Sequence, residues 1–138
     1  YRDQYPKQVV ANARALAAAL RDQGLVIEGD AARSFTDTHQ VLLRGARAQG
    51  GQLADLLEGN NIITNSQGLY DDLSFTAASG VRMGVQEMTR YGMKESDFAE
   101  LAALIAAIVR EGGSRPQGAW REAVLELRSR FSEMHYCL

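Results

Sequence analysis

The stretch Ser79-Gly80-Val81-Arg82-Met83-Gly84 decides how this chain is read. Successive side chains of a strand point to opposite faces, so Val81 and Met83 share one apolar face while Arg82 stands on the other. Its flanking glycines, Gly80 and Gly84, let a ligand or another backbone come close. A strand of this kind belongs to a small sheet with one face covered.

Upstream, Asn65 to Ala78 has no usable period and carries Gly68, Asp71 and Asp72. A loop of that length inside a domain is functional or flexible. Ile62-Ile63-Thr64 before it is β-branched throughout and predicts a strand. Leu53, Leu56 and Leu57 give a short helix face closed by Gly59. His39 to Leu43 predicts a strand bounded by Gly45, Gly29 to Thr36 a loop, and Leu25-Val26-Ile27 another short strand. The long first helix opens at Tyr5-Pro6-Lys7, with proline at its first position. Val9, Ala13, Leu16 and Leu20 then recur at helical spacing up to the stop at Gly24.

Downstream, a helical turn spans Glu87 to Tyr91 and breaks at Gly92. Lys94 to Arg110 forms a second long helix with Phe98, Leu101, Ile105 and Ile108 on one stripe, and Glu95 and Asp97 suit its positive end. A last helix lines up Trp120, Val124, Leu127 and Phe131, and the tail from Ser132 is expected to fray. This order implies one α+β two-layer domain over residues 1–138. Its small, mostly antiparallel sheet has three to four strands, with helices packed on one face.

Composition narrows the function. The 138 residues are 46 % hydrophobic and 23 % charged, as a globular domain should be. A net charge of −2 argues against a nucleic-acid binder. The longest apolar run, Leu101 to Val109, is far too short to span a membrane. One cysteine, Cys137, can form neither an internal disulfide nor a thiolate metal site, so no metal is expected and a reducing cytoplasm fits. The chain begins at Tyr1 without an initiator methionine, and we expect it to be part of something longer.

No phosphate loop, dinucleotide fingerprint, paired-histidine metal motif or nucleophile elbow is present. Arg82 stands out, because a guanidinium fork matches a carboxylate bidentately. From the residues alone, a structural ion pair is the commoner fate of such an arginine and a ligand contact the rarer one. His39 reads as a hydrogen-bonded structural residue, and Asn65-Ser66-Gln67 as a turn. His135 and Cys137 lie in the tail and carry no assignment. The two lysines, Lys7 and Lys94, sit at helix starts and neither is placed to be a reactive amine.

From Ser79 through Met93, the sequence resembles the part of serine hydroxymethyltransferase that carries the substrate-carboxylate arginine. The wording Val85-Gln86-Glu87-Met88-Thr89-Arg90 is closer to archaeal and divergent members than to the common bacterial enzyme. Other segments agree in order. Tyr5 to Ala17 is similar to the family's helix leading from the large into the small domain, and Thr36-Asp37-Thr38-His39-Gln40 to its Thr-Asp-x-His-Leu segment. Arg121 to Phe131 resembles its closing helix.

The resemblance implies the C-terminal small domain of a fold type I pyridoxal-phosphate enzyme, with residues 1–24 as the interdomain helix. Such an enzyme interconverts serine and glycine with one-carbon transfer to tetrahydrofolate. Arg82 would hold the amino-acid α-carboxylate, and Asn65, Ser66 and Gln67 would lie at the folate and substrate entrance. No catalytic residue is assigned to the chain itself, which is expected to be inactive alone. The Schiff-base lysine belongs to a large domain that is expected as its partner in a cytoplasmic, homodimeric parent. One departure matters: where the family reads Asn-Lys-Asn and then a proline, this chain has Asn65-Ser66-Gln67-Gly68-Leu69-Tyr70. Two alternatives therefore stay open. One is a folate-independent aldol enzyme of the threonine aldolase, transaldolase or α-methylserine type; the other is a non-catalytic interaction module of the same fold.

Overall fold

A computed structural model of the chain describes residues 1–137. Five helices, α1 (Gln4–Asp22), α2 (Gly50–Glu58), α3 (Gln86–Arg90), α4 (Glu95–Glu111) and α5 (Arg121–Ser129), accompany four strands. The strands are β1 (Val26–Ile27), β2 (Gln40–Arg44), β3 (Asn65–Gln67) and β4 (Gly80–Gly84). They form one sheet in the order β1-β2-β4-β3, antiparallel throughout. This is the α+β two-layer arrangement that the sequence implies.

Alternation along the strands sets the two faces. Val41, Leu43, Val81 and Met83 are buried on the covered face, while Gln40, Leu42, Arg44 and Arg82 stand half-buried on the other. The covered face meets α1, whose Val9, Ala13, Leu16, Ala17 and Leu20 are buried, and α4, which buries Phe98, Ala102, Ile105 and Ile108. Leu101, placed on the α4 stripe by its spacing, is only half-buried.

Two contacting polar residues, Asn12 and Thr89, are buried beside this core. Asn12 is fully buried; its amide donates to Thr89 Oγ1 at 2.9 Å and to the Met93 carbonyl at 2.8 Å, and its Oδ1 accepts from Gln8 Nε2 at 2.9 Å. Both amide hydrogens and one of the two acceptor positions of Oδ1 are used, so no polar atom of the buried amide lacks a partner. The group bolts α1 to the connection between α3 and α4.

The expected strand at Ile62-Ile63-Thr64 is not formed; the strand lies three residues further on, at Asn65–Gln67. Register explains the shift. Asn65 faces Arg82 and Gln67 faces Gly80, so the partners of Ile62 and Ile63 would be Val85 and Gly84. There the chain is already turning into α3, and the Val85 N–H is engaged by the His39 carbonyl at 3.1 Å. Ile62 is instead buried from an extended connection, and Ile63 is 75 % exposed. Two smaller corrections follow. Helix α1 begins before Pro6, which still lies in the first turn, where its missing N–H has no intrahelical acceptor. The described part of the tail docks rather than fraying: the His135 N–H bonds the Arg90 carbonyl at 2.9 Å, and the Tyr136 ring packs edge-on with Tyr1 and tilted against Tyr5.

Candidate functional site

Arg82 occupies the middle of the open sheet face, opposite Leu42 of β2 on one side and Asn65 of β3 on the other. It lines a shallow polar depression of ≈ 260 Å³ together with His39, Gln40, Thr64, Asn65 and Gln86. Among the described residues two arginines are half-buried, Arg82 and Arg44. They differ in one decisive respect. Arg44 pairs with Glu28 and makes a two-pronged bond to Asp71 at 3.0 and 3.2 Å. The Arg82 guanidinium has no side-chain hydrogen bond and no ion pair among the described residues. The structural ion pair that its residue type favours is therefore absent, and the depression keeps an uncommitted cation.

The other sequence candidates divide. Asn65 shares the open face with Arg82. Gln67 lies on that face at the far end of β3, beside Gly80, with its amide turned back to the Gly68 carbonyl at 3.2 Å. Ser66, opposite Val81, belongs to the other face. These residues form an edge strand and not the expected turn. His39, read as a hydrogen-bonded structural residue, has no side-chain hydrogen bond among those described and lines the depression instead. Lys7 and Lys94 are exposed, and the Lys94 ammonium faces Gln8 Oε1 at 3.2 Å. No three His, Cys, Asp or Glu side chains among the described residues gather as a metal site, and Cys137 is exposed.

A second polar cluster, which sequence reading missed, fastens the connection from β3 to β4. Asp72 Oδ2 accepts from the Leu69 and Ser79 amides, both at 2.8 Å, and Oδ1 accepts from the Ser79 hydroxyl at 2.5 Å. Those bonds, the Leu69 amide foremost, hold the Asp72 carboxyl below the usual carboxylate range. Asp71 is lowered too, chiefly by its bonds to Arg44, whose own pKa is raised by Asp71 and then by Glu28. Around these anchors three large side chains stand almost free: Tyr70 at 90 %, Leu73 at 85 % and Phe75 at 93 % exposure. Aspartates in sequence announce nothing more than a turn; the signal was their place seven and eight residues before Ser79, the residue that leads into β4.

Both carboxyls have folded values below their unfolded ones, so their stabilisation is complete above the unfolded value of about 3.9 and disappears as pH falls through the lowered value. In an NMR titration the Leu69 and Ser79 amide shifts should therefore move together, with an apparent midpoint below about 3.9. Independent movement of the two, or a midpoint at the unfolded value, would mean that Asp72 does not hold them.

Residues 1–105 match the family model for serine hydroxymethyltransferase. The serine hydroxymethyltransferase of Pyrobaculum aerophilum is 42 % identical over 134 residues, covering 96 % of this chain and 30 % of that protein. The one from Archaeoglobus fulgidus is 42 % identical over 137 residues, covering 97 % of this chain and 31 % of that protein. The crystal structure of L-threonine transaldolase from Pseudomonas fluorescens in its internal aldimine state superposes with a TM-score of 0.76 at 29 % identity. That match covers 91 % of this chain and 28 % of the other. The chain thus spans about 30 % of the length of the curated relatives it matches.

Fold and these likenesses together place the chain as one part of the fold type I pyridoxal-phosphate-dependent class. Within that class it belongs to the serine hydroxymethyltransferase family.

The residues described do not themselves fit the cofactor. A Schiff-base lysine must be desolvated to be reactive at neutral pH, and both lysines here are exposed.

Proposed function

We propose that this chain is the C-terminal, substrate-closing domain of a pyridoxal-phosphate-dependent serine hydroxymethyltransferase, with residues 1–24 as the helix joining it to a large domain. In this reading Arg82 binds the α-carboxylate of serine or glycine, and the large domain supplies the cofactor and its lysine. The observation that carries it is the uncommitted, half-buried guanidinium in a polar depression. Two parallel N–H···O bonds from a planar fork hold a carboxylate against rotation, and so fix the direction of the remaining bonds at Cα. The Asn65 amide, on the same face, is placed to add a further polar contact at the entrance, where tetrahydrofolate would carry the one-carbon unit. The parent is read as a cytoplasmic homodimer. Of the described helices none is long and apolar enough to cross a membrane.

A second reading is favoured by one specific observation. Gln67, at the position of the family's second asparagine, turns its amide back onto the Gly68 carbonyl and away from the depression. Together with the likeness to a transaldolase, this supports an aldol enzyme that needs no folate. The full-length parent decides: serine cleavage that requires added tetrahydrofolate supports the first reading, and cleavage at the same rate without it supports the second. Failure to cleave any β-hydroxy amino acid would overturn both and leave an interaction module.

A further inference from the structure

Ser79, three residues ahead of Arg82, is a buried and tightly held point at the entry to β4. Its hydroxyl donates to Asp72 and accepts from the Ala48 amide at 2.9 Å, and its own N–H goes to Asp72 at 2.8 Å. Its carbonyl accepts the Gly45 N–H at 2.8 Å, and the neighbouring Ala78 carbonyl accepts the Gly50 N–H at 2.8 Å. Packing closes the same point. A β-carbon on Gly80 would stand 2.7 Å from Leu69 Cδ2 and 2.8 Å from the Gln67 carbonyl, and one on Gly50 would run into the Gly80 and Ala78 carbonyls. Two loops therefore converge on Ser79, and Asp72 is the one side chain that ties the β3–β4 loop to it.

A shift at the start of a strand is carried to the residues after it unless a bulge takes it up. The backbone of Arg82 is paired with Leu42 and Asn65, while its guanidinium is free of side-chain hydrogen bonds and ion pairs among the described residues. Its position thus follows the backbone of β4, which those pairs hold along its length and Ser79 anchors at its start. The Arg44 clamp on Asp71 holds the neighbouring residue of the same loop to β1 and β2, so the loop is braced twice within two residues.

We infer that Asp72 is a positioning residue for Arg82: by fixing Ser79 from across the β3–β4 loop, it sets where the carboxylate-binding guanidinium stands. This rests on the reading of Arg82 as the carboxylate site, and it adds a residue to that site that touches no substrate.

The test uses the full-length enzyme and two ligands that differ only in the carboxylate, serine and 2-aminoethanol. Asp72→Ala should weaken serine binding about tenfold and leave 2-aminoethanol within twofold, since a displacement on the order of 1 Å is enough to spoil bidentate geometry. Ser79→Ala, which keeps the Asp72–Leu69 bond, should give the same selectivity with a smaller shift, and it decides the matter if Asp72→Ala does not fold. Equal weakening of both ligands would reduce Asp72 to general support of the fold, and no change in either would remove it from the site; both overturn the inference. Arg82→Ala runs alongside. If that variant binds serine normally, the reading of Arg82 itself fails, whatever Asp72 does.

Discussion

Arg82→Ala in the full-length enzyme should lower kcat/KM for serine by on the order of 10²–10³-fold while leaving the fold unchanged. The size follows from the interaction lost. A charge-assisted, two-pronged bond to a carboxylate in a partly desolvated site is worth about 3–4 kcal/mol when one partner is truncated. The asymmetry with stability follows from the structure. The Arg82 side chain makes no hydrogen bond or ion pair among the described residues and stands on the open face, so its truncation breaks no polar contact there. The melting temperature should move by no more than about 2 °C, within the range of ordinary surface substitutions. Lysine should restore little, because a point charge cannot reproduce the planar fork. A normal kcat/KM in the alanine variant would remove the arginine from substrate binding; a large loss of stability would show that it has an intramolecular role after all.

The second large effect concerns the core. Phe98 on α4 is 2 % exposed and among the largest fully enclosed side chains. It borders an apolar cavity of ≈ 340 Å³ that Met83, Met88, Met93, Ile105 and Leu127 also line. Phe98→Ala should cost about 3–5 kcal/mol, the transfer energy of the ring plus that of the void it leaves. In a domain of this size that is a fall in melting temperature on the order of 10 °C. The three methionines are the flexible elements of the wall. A loss near the lower limit would mean that they collapse into the space, and a loss below about 1 kcal/mol would show that the ring contributes little packing at all.

Much of the fold was legible because its signals were periodic. The stripes of α1 and α4 and the alternation of Val81 and Met83 need only spacing and polarity, and the structure buries those residues as expected with the exception of the half-buried Leu101. What spacing could not supply was register. Ile62-Ile63-Thr64 has strong β propensity, yet the strand forms on Asn65-Ser66-Gln67 because that is where β4 offers free partners. Intrinsic preference yields to tertiary pairing in such a case. Asn12 was invisible for a related reason: polar residues are read as facing outward, and only the converging Thr89 and Met93 groups make its burial favourable.

For the site, the sequence pointed to Arg82 and Asn65 but not to what surrounds them. The freedom of Arg82 becomes visible only by contrast with Arg44, whose acidic partners lie 16 and 27 residues away in the chain. Asp72 was missed because single aspartates in loops are common, and His39 was read as a hydrogen-bonded structural residue because its place beside the depression depends on folding. Their meaning comes from neighbours brought in by folding.

The buried Asn12 fastening also says something about movement. Helix α1 is packed along α4 and pinned through Asn12 to Thr89 and Met93, so its 19 residues cannot turn independently of the sheet that carries Arg82. The helix is a lever about 28 Å long, fastened near its middle to the load. On the proposed role of Arg82, a rotation that brings it down onto a carboxylate pivots ahead of Tyr5, whose hydroxyl is itself tied to the Gln86 carbonyl at 2.9 Å, and swings helix, sheet and guanidinium together as one piece.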